Sequence, residues 1–253
     1  MLIDTHCHIH ESSYELPINE VLLKAEEAGV QEYICVGTSE ESSRRAIEFA
    51  ELHAQAYAVI GVHPHDTKDG YDQIARLAGS SSRIIAVGEI GLDYFYSHSP
   101  REMQMAALEA QIKVALAHNL PVIFHVREAF DDFWPIFDKY PVVRGELHSF
   151  TDSLENLQKA LDRGLYIGVN GISTFTKDEQ QKKTFDAIPL DRLLFETDAP
   201  FLTPAPLRGK VNEPAYVKLV AQYHADRRGI SLEEIADATT TNARTLFQLT
   251  TLS

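Results

Sequence analysis

Residues 2–10 read LIDTHCHIH, a short apolar run that passes into three alternating histidines. In an extended strand, side chains two apart project from one face, so His6, His8 and His10 share a side. An open doubly wound sheet would carry a glycine-rich phosphate loop after its first strand. Here imidazoles stand in that place. They suit a closed parallel barrel, whose active residues sit at the C-terminal ends of the strands.

The rest of the chain carries the same rhythm. Apolar runs recur as YICV (33–36), YAVIG (57–61), IIAVG (84–88), PVIF (121–124), RGELH (144–148), YIGV (166–169) and LLFE (193–196). They are continuous rather than alternating, as strands buried on both faces should be. Amphipathic stretches at 17–29, 40–53, 101–118, 153–164 and 179–187 separate them, and two more follow at 213–228 and 231–249. Gly29 and Gly164 fall at expected helix C-caps and Ser153 at an N-cap. Eight strands alternating with helices give a TIM (β/α)8 barrel, expected as a single domain over residues 1–253.

Composition narrows the function. With 23 basic and 37 acidic residues the net charge is −14, which argues against a broad phosphate-coating surface. It leaves room for a local site where metal ions supply the positive charge. No run of about 18 apolar residues exists, so no membrane span or membrane partner is expected, nor a signal peptide. Cys7 and Cys35 are the only cysteines, which suits a reduced, cytoplasmic setting.

Ligand-type residues gather where the barrel would put them. His6 and His8 end the first strand. His63 and His65, in GVHPH, follow the third, and Glu89 in VGEIGLDY ends the fourth. His125 in VIFHVRE, His148 in GELHSF and Asp198 in FETDAP end the fifth, sixth and eighth. His53, His98, His118 and His224 fall on helices or loops and read as surface residues. Any one rim residue has a bland structural account. The group does not, because clustered buried charges without partners are costly.

Nitrogen and oxygen donors of this kind suit Zn²⁺, Mn²⁺ or Mg²⁺. Six such groups exceed one tetrahedral site. A carboxylate such as Glu89 can lie between two ions, and a pair of ions about 3.5–4 Å apart clamps both oxygens of a phosphoryl transfer. Asp198 has two jobs open to it, ligating metal and accepting the proton of an attacking water. Glu196 shares its strand face and reads as a supporting group.

The motifs HxH, GxHPH, GEIGLDY, FHxR, LHSF and ETDAP together resemble the TatD family of metal-dependent deoxyribonucleases, among the amidohydrolase-like barrels. The resemblance runs on through LTPAPLRGKVNEPAYV (202–217) and TTNARTLFQL (240–249). It implies a metal-dependent hydrolase that cuts phosphodiester bonds of DNA, exonucleolytically from the 3′ end, on single-stranded ends, as a monomer. It further implies two divalent ions. His6, His8 and Asp198 would hold one and His125 and His148 the other, with Glu89 between them and Asp198 and Glu89 catalytic. His63, His65, Arg127 and Arg208 would meet the substrate. The chain departs from the family where HCHIH replaces HCHLD, placing His10 at an aspartate position, and where HSFTD replaces HCFTG. His10 therefore reads as a loop or supporting residue.

Other groups take structural readings. Cys7 faces away from the histidines as a small hydrophobe. Phe130, Phe133, Trp134 and Phe137 have the spacing of a buried helix face rather than of a base-stacking row. Asp93 and Tyr94 either pack the loop or position Glu89. The competing function is an amidohydrolase-like enzyme cleaving a C–N or ester bond in a small molecule. The same metal chemistry serves it, but Glu89 stands where many such enzymes carry a carboxylated lysine.

Overall fold

The computed structural model describes residues 1–96 and 98–249. The apolar runs form β1 (Leu2–Cys7), β2 (Val30–Val36), β3 (Ala56–Ile60), β4 (Ile84–Asp93), β5 (Val122–Arg127), β6 (Gly145–Leu147), β7 (Tyr166–Val169) and β8 (Leu193–Phe195). They make one eight-stranded sheet in chain order. Beyond β8 the chain returns to β1 through a parallel bridge between Cys7 and Ala199, so the order of pairing comes back to its start.

Helices connect the strands. They are α1 (Ile18–Ala28), α2 (Glu40–Leu52), α3 (Ile74–Leu77), α4 (Arg101–Ala117), α5 (Phe130–Phe137), α6 (Leu154–Asp162), α7 (Ile172–Phe175), α8 (Glu179–Ala187), α9 (Val217–Arg228) and α10 (Leu232–Phe247). Their ends are written locally. Gly29 caps α1 in the left-handed conformation at φ 85°, and Ser231 caps α10 by accepting from the Glu234 amide.

Packing divides the chain into two compact units. The first comprises Met1–Ile34, Ser149–Asp162 and the chain from Tyr166 onward; the second comprises Cys35–His148 and Arg163–Leu165. In the first, β7 pairs with β8 in parallel, Ile167 against Leu193 and Val169 against Phe195. In the second, β3, β4, β5 and β6 pair in parallel succession.

β4 is longer than its apolar run. It continues through Asp93, so Glu89 lies inside the strand rather than at its end. The reason is pairing: after an irregularity between Val87 and Ile90, Gly91, Leu92 and Asp93 stand against His125, Val126 and Arg127 of β5. A Cβ at Gly91 would overlap the His125 carbonyl oxygen, so only glycine allows this approach.

The aromatic row of α5 is buried, with Phe124 of β5 meeting Phe133 and Phe137 at ring distances of 5.1 and 5.7 Å. One surface assignment fails. His224 is only 1% exposed, because α9 turns it inward between Phe195 of β8 and Ser173 of α7.

Candidate metal centre

Three donors meet in the first unit. His6 Nε2 lies 3.2 Å from His8 Nε2, and Asp198 Oδ1 lies 3.2 Å from His8 Nε2 and 3.9 Å from His6 Nε2. Ligand atoms about 2.0–2.2 Å from a tetrahedral ion stand roughly 3.3–3.6 Å apart, so this triad has the spacing a divalent cation needs. Both imidazoles are buried.

The backbone sets the triad. Asp198 donates its amide to the His6 carbonyl at 2.8 Å, and His8 donates to the Ala199 carbonyl at 2.7 Å. Asp198 sits at φ 58°, in the left-handed region where a non-glycine residue is strained. Asp4 holds the strand ends together: Thr197 donates to its carboxylate through the amide at 2.8 Å and the hydroxyl at 2.6 Å. Burial pushes the Asp4 carboxyl well above the usual range. Beside this, Glu196 accepts from the Ser149 amide at 2.9 Å and from Asn170 Nδ2 at 3.1 Å, and Asn170 also donates to Ser149 Oγ.

The second unit has its own cluster, centred on Glu89 Oε1. His125 Nδ1 approaches it at 2.8 Å, His63 Nε2 at 3.5 Å and His148 Nε2 at 3.7 Å. Asp93 Oδ2 meets the far nitrogen of His125, Nε2, at 3.0 Å, and His65 Nε2 at the same distance. The carboxylate thereby holds the His125 ring at Nε2, and Nδ1 is the nitrogen turned to Glu89. Burial pushes Asp93 upward, but hydrogen bonds from His125, from the Tyr96 amide and from His65 outweigh it and hold the carboxyl below its ordinary range. Burial also lowers His63 well below the usual histidine value, helped by His125, which keeps its imidazole neutral. For His125 burial acts downward too, yet the bonds to Asp93 and Glu89 raise it on balance.

The sequence-derived residues thus fall into two groups. His6, His8 and Asp198 converge in one unit; His63, Glu89 and His125 converge in the other, with His148 beside Glu89. His63 stands among the possible ligands rather than apart from them, while His65 is tied to Asp93. Arg127 lies over aromatic rings, and Arg208 donates to the Thr203 carbonyl at 2.9 Å while covering the Phe175 ring. His10 is buried, its Nε2 at 3.4 Å from Glu11. The supporting groups Asp4, Asn170 and Gln104, the last accepting from the Asp93 amide at 2.8 Å, escaped sequence reasoning. Asp4 alone had a signal, as a carboxylate two residues before the paired histidines.

The donor sets fit divalent cations of the Zn²⁺, Mn²⁺ or Mg²⁺ kind, being imidazole and carboxylate without thiolate. Comparison with known proteins agrees. Residues 3–248 match the family described as TatD related DNase. The chain is 38% identical over 255 residues to the uncharacterized metal-dependent hydrolase YabD of Bacillus subtilis (strain 168), covering 98% of this chain and all of that one. It is 34% identical over 265 residues to the 3′-5′ ssDNA/RNA exonuclease TatD of Citrobacter rodentium (strain ICC168), covering 98% of each. The crystal structure of YJJV, a TatD homolog from Escherichia coli K12, superposes with a TM-score of 0.91 at 30% identity over 98% of both chains, which gives the fold as a TIM barrel. With that match over residues 3–248, the chain belongs to the TatD family of metal-dependent hydrolases.

Proposed function

We propose that this single hydrolase domain cuts phosphodiester bonds in DNA, trimming single-stranded ends from the 3′ side. Two divalent ions would serve it, one held by His6, His8 and Asp198 and the other by Glu89, His125 and His148. What carries this reading is the gathering of histidines and carboxylates at ligand spacing, His6 and His8 with Asp198, and His63 and His125 with Glu89, His148 lying 3.7 Å from Glu89. The exonuclease named among its relatives supports the choice of substrate. Cysteines buried and outside any disulfide suit a cytoplasmic protein, and a monomer is the state proposed.

A bound divalent ion would acidify water and neutralise charge on a phosphoryl group. The chain's own residues supply the rest. Asp198 accepts the proton of the attacking water on a carboxylate oxygen. Glu89 and Asp93 hold His125, and His63 and His65 line the same strand ends. Arg127 and Arg208 offer guanidinium N–H groups to phosphate oxygens.

The net charge of −14 equally suits the rival reading, cleavage of a C–N or ester bond in a small molecule. One experiment separates them. Metal-stripped protein is restored with Mg²⁺, Mn²⁺ or Zn²⁺ and given end-labelled single-stranded DNA, duplex DNA and acyl-amino acids. Stepwise shortening of the single strand from its 3′ end supports the nuclease. Intact DNA with every metal, alongside saturable acyl-amino acid turnover, overturns it.

A further inference from the structure

The loop leaving β4 carries exposed rings directly beside the Glu89 cluster. Phe95 and Tyr96 are 48% and 44% exposed, and His98 is exposed as well. Arg127, at the end of β5, sets its guanidinium carbon 4.0 Å over the Phe95 ring and 5.0 Å from the Tyr96 ring centre. Tyr96 and His98 lie stacked, 5.8 Å apart at 19°, and Phe95 meets Tyr96 edge to face at 4.7 Å.

Exposed rings alone are ordinary. Their mount is not. Asp93 Oδ1 accepts from the amides of Phe95 and Tyr96 at 3.0 and 2.9 Å, while its Oδ2 meets His125 and His65. Buried Gln104 accepts from the Asp93 amide at 2.8 Å and donates to the carbonyls of Asp93 and Ser99. Ser99 Oγ donates to the His65 carbonyl at 2.6 Å, and Tyr94 is pinned by its hydroxyl to Asp132 at 2.7 Å. The loop is held by buried polar groups with its rings turned outward. One carboxylate ties them to a proposed metal ligand.

We propose that Phe95 and Tyr96, backed by Arg127, form a stacking platform for one unpaired nucleobase of a single-stranded nucleic acid next to the bond to be cut. This rests on the nuclease reading above. Every base has a π-face, so such a platform accepts any sequence. Bases inside a duplex are stacked on one another and cannot present a face to it. Arg127 adds cation–π attraction to the stack. A chain of net charge −14 draws little affinity from diffuse phosphate attraction, so stacking fills that need. The bonds that hold the Phe95 and Tyr96 amides to Asp93 reduce the ordering cost on binding.

The test compares an end-labelled oligothymidylate with the same strand made abasic over its 3′-terminal nucleotides. The proteins are wild type, the Phe95→Leu/Tyr96→Leu double variant, which keeps apolar bulk, and Tyr96→Phe, which keeps both rings. Expected is a KM about tenfold lower for the base-bearing strand with wild type and Tyr96→Phe, the ratio collapsing toward one in the leucine variant. Equal KM for both strands with wild type, or a ratio unchanged in the leucine variant, overturns the platform. Binding of both strands by Asp198→Asn protein, followed by fluorescence anisotropy, separates the two readings. Base-dependent binding without cleavage by wild type sinks the nuclease and keeps the platform; cleavage without base dependence does the reverse.

Discussion

Asp93 divides its two oxygens between two tasks. One meets His125 and His65, and the other caps the amides of Phe95 and Tyr96. Asp93→Asn keeps the shape but puts an amide where a carboxylate faced two imidazoles, so His125 loses the charged partner that holds its Nε2. Metal affinity should fall about 10–100-fold, read by chelator competition; an unchanged affinity would show that Asp93 only packs the loop. Asp198→Asn, by contrast, removes the proposed proton acceptor, and a fall in kcat of about 10²–10⁴-fold is expected. The ligand-type residues were legible because their motifs are local. Asp93 was legible only as a choice between loop packing and positioning, because residues distant in the chain, His125 of β5 and His65 in the turn beyond β3, complete its bonds. His224 was not legible: a polar residue on an amphipathic helix reads as solvated until the helix's neighbours are known.

At the scale of elements, eight strands and the main helices followed from apolar runs and caps. The length of β4 did not. Its last residues, GLD, look like a turn, and only the facing backbone of β5 makes them strand. Gly91→Ala should push β5 away from β4 at His125, lowering both stability and metal affinity. Thermal unfolding of metal-free protein, run beside the chelator assay, checks both losses. In α5 the aromatic spacing was correctly read as core. Phe133 is fully buried among Phe124, Trp134 and Phe137, so Phe133→Ala should cost about 3–5 kcal/mol by urea unfolding. A loss under about 1 kcal/mol would mean the pocket collapses around the gap.

The whole molecule adds effects that no single element contains. Burial, with repulsion from Arg228 and Arg227, pushes His224 from 6.5 to about 3. In the unfolded chain it keeps its ordinary value. Above about pH 6.5 both states are neutral and the group adds no pH dependence. As pH falls from about 6.5 toward 3 the unfolded chain takes up the proton first, and stability drops by up to about 1.4 kcal/mol per unit. Urea midpoints measured across that range should fall steeply for wild type and flatten for His224→Gln.

Two ions binding only the folded chain should raise its stability by about 2.7 kcal/mol for each site held at a hundred times its Kd. That expectation leads to the most direct measurement of the central claim. Metal-free protein is titrated with Mn²⁺ while bound ions per chain and cleavage of single-stranded DNA are followed together. The proposed two-ion reading predicts two ions per chain, with cleavage rising as the second binds and one ion lost in a His6→Ala/His8→Ala variant. Full activity with a single ion, or two ions still bound in that variant, would contradict it.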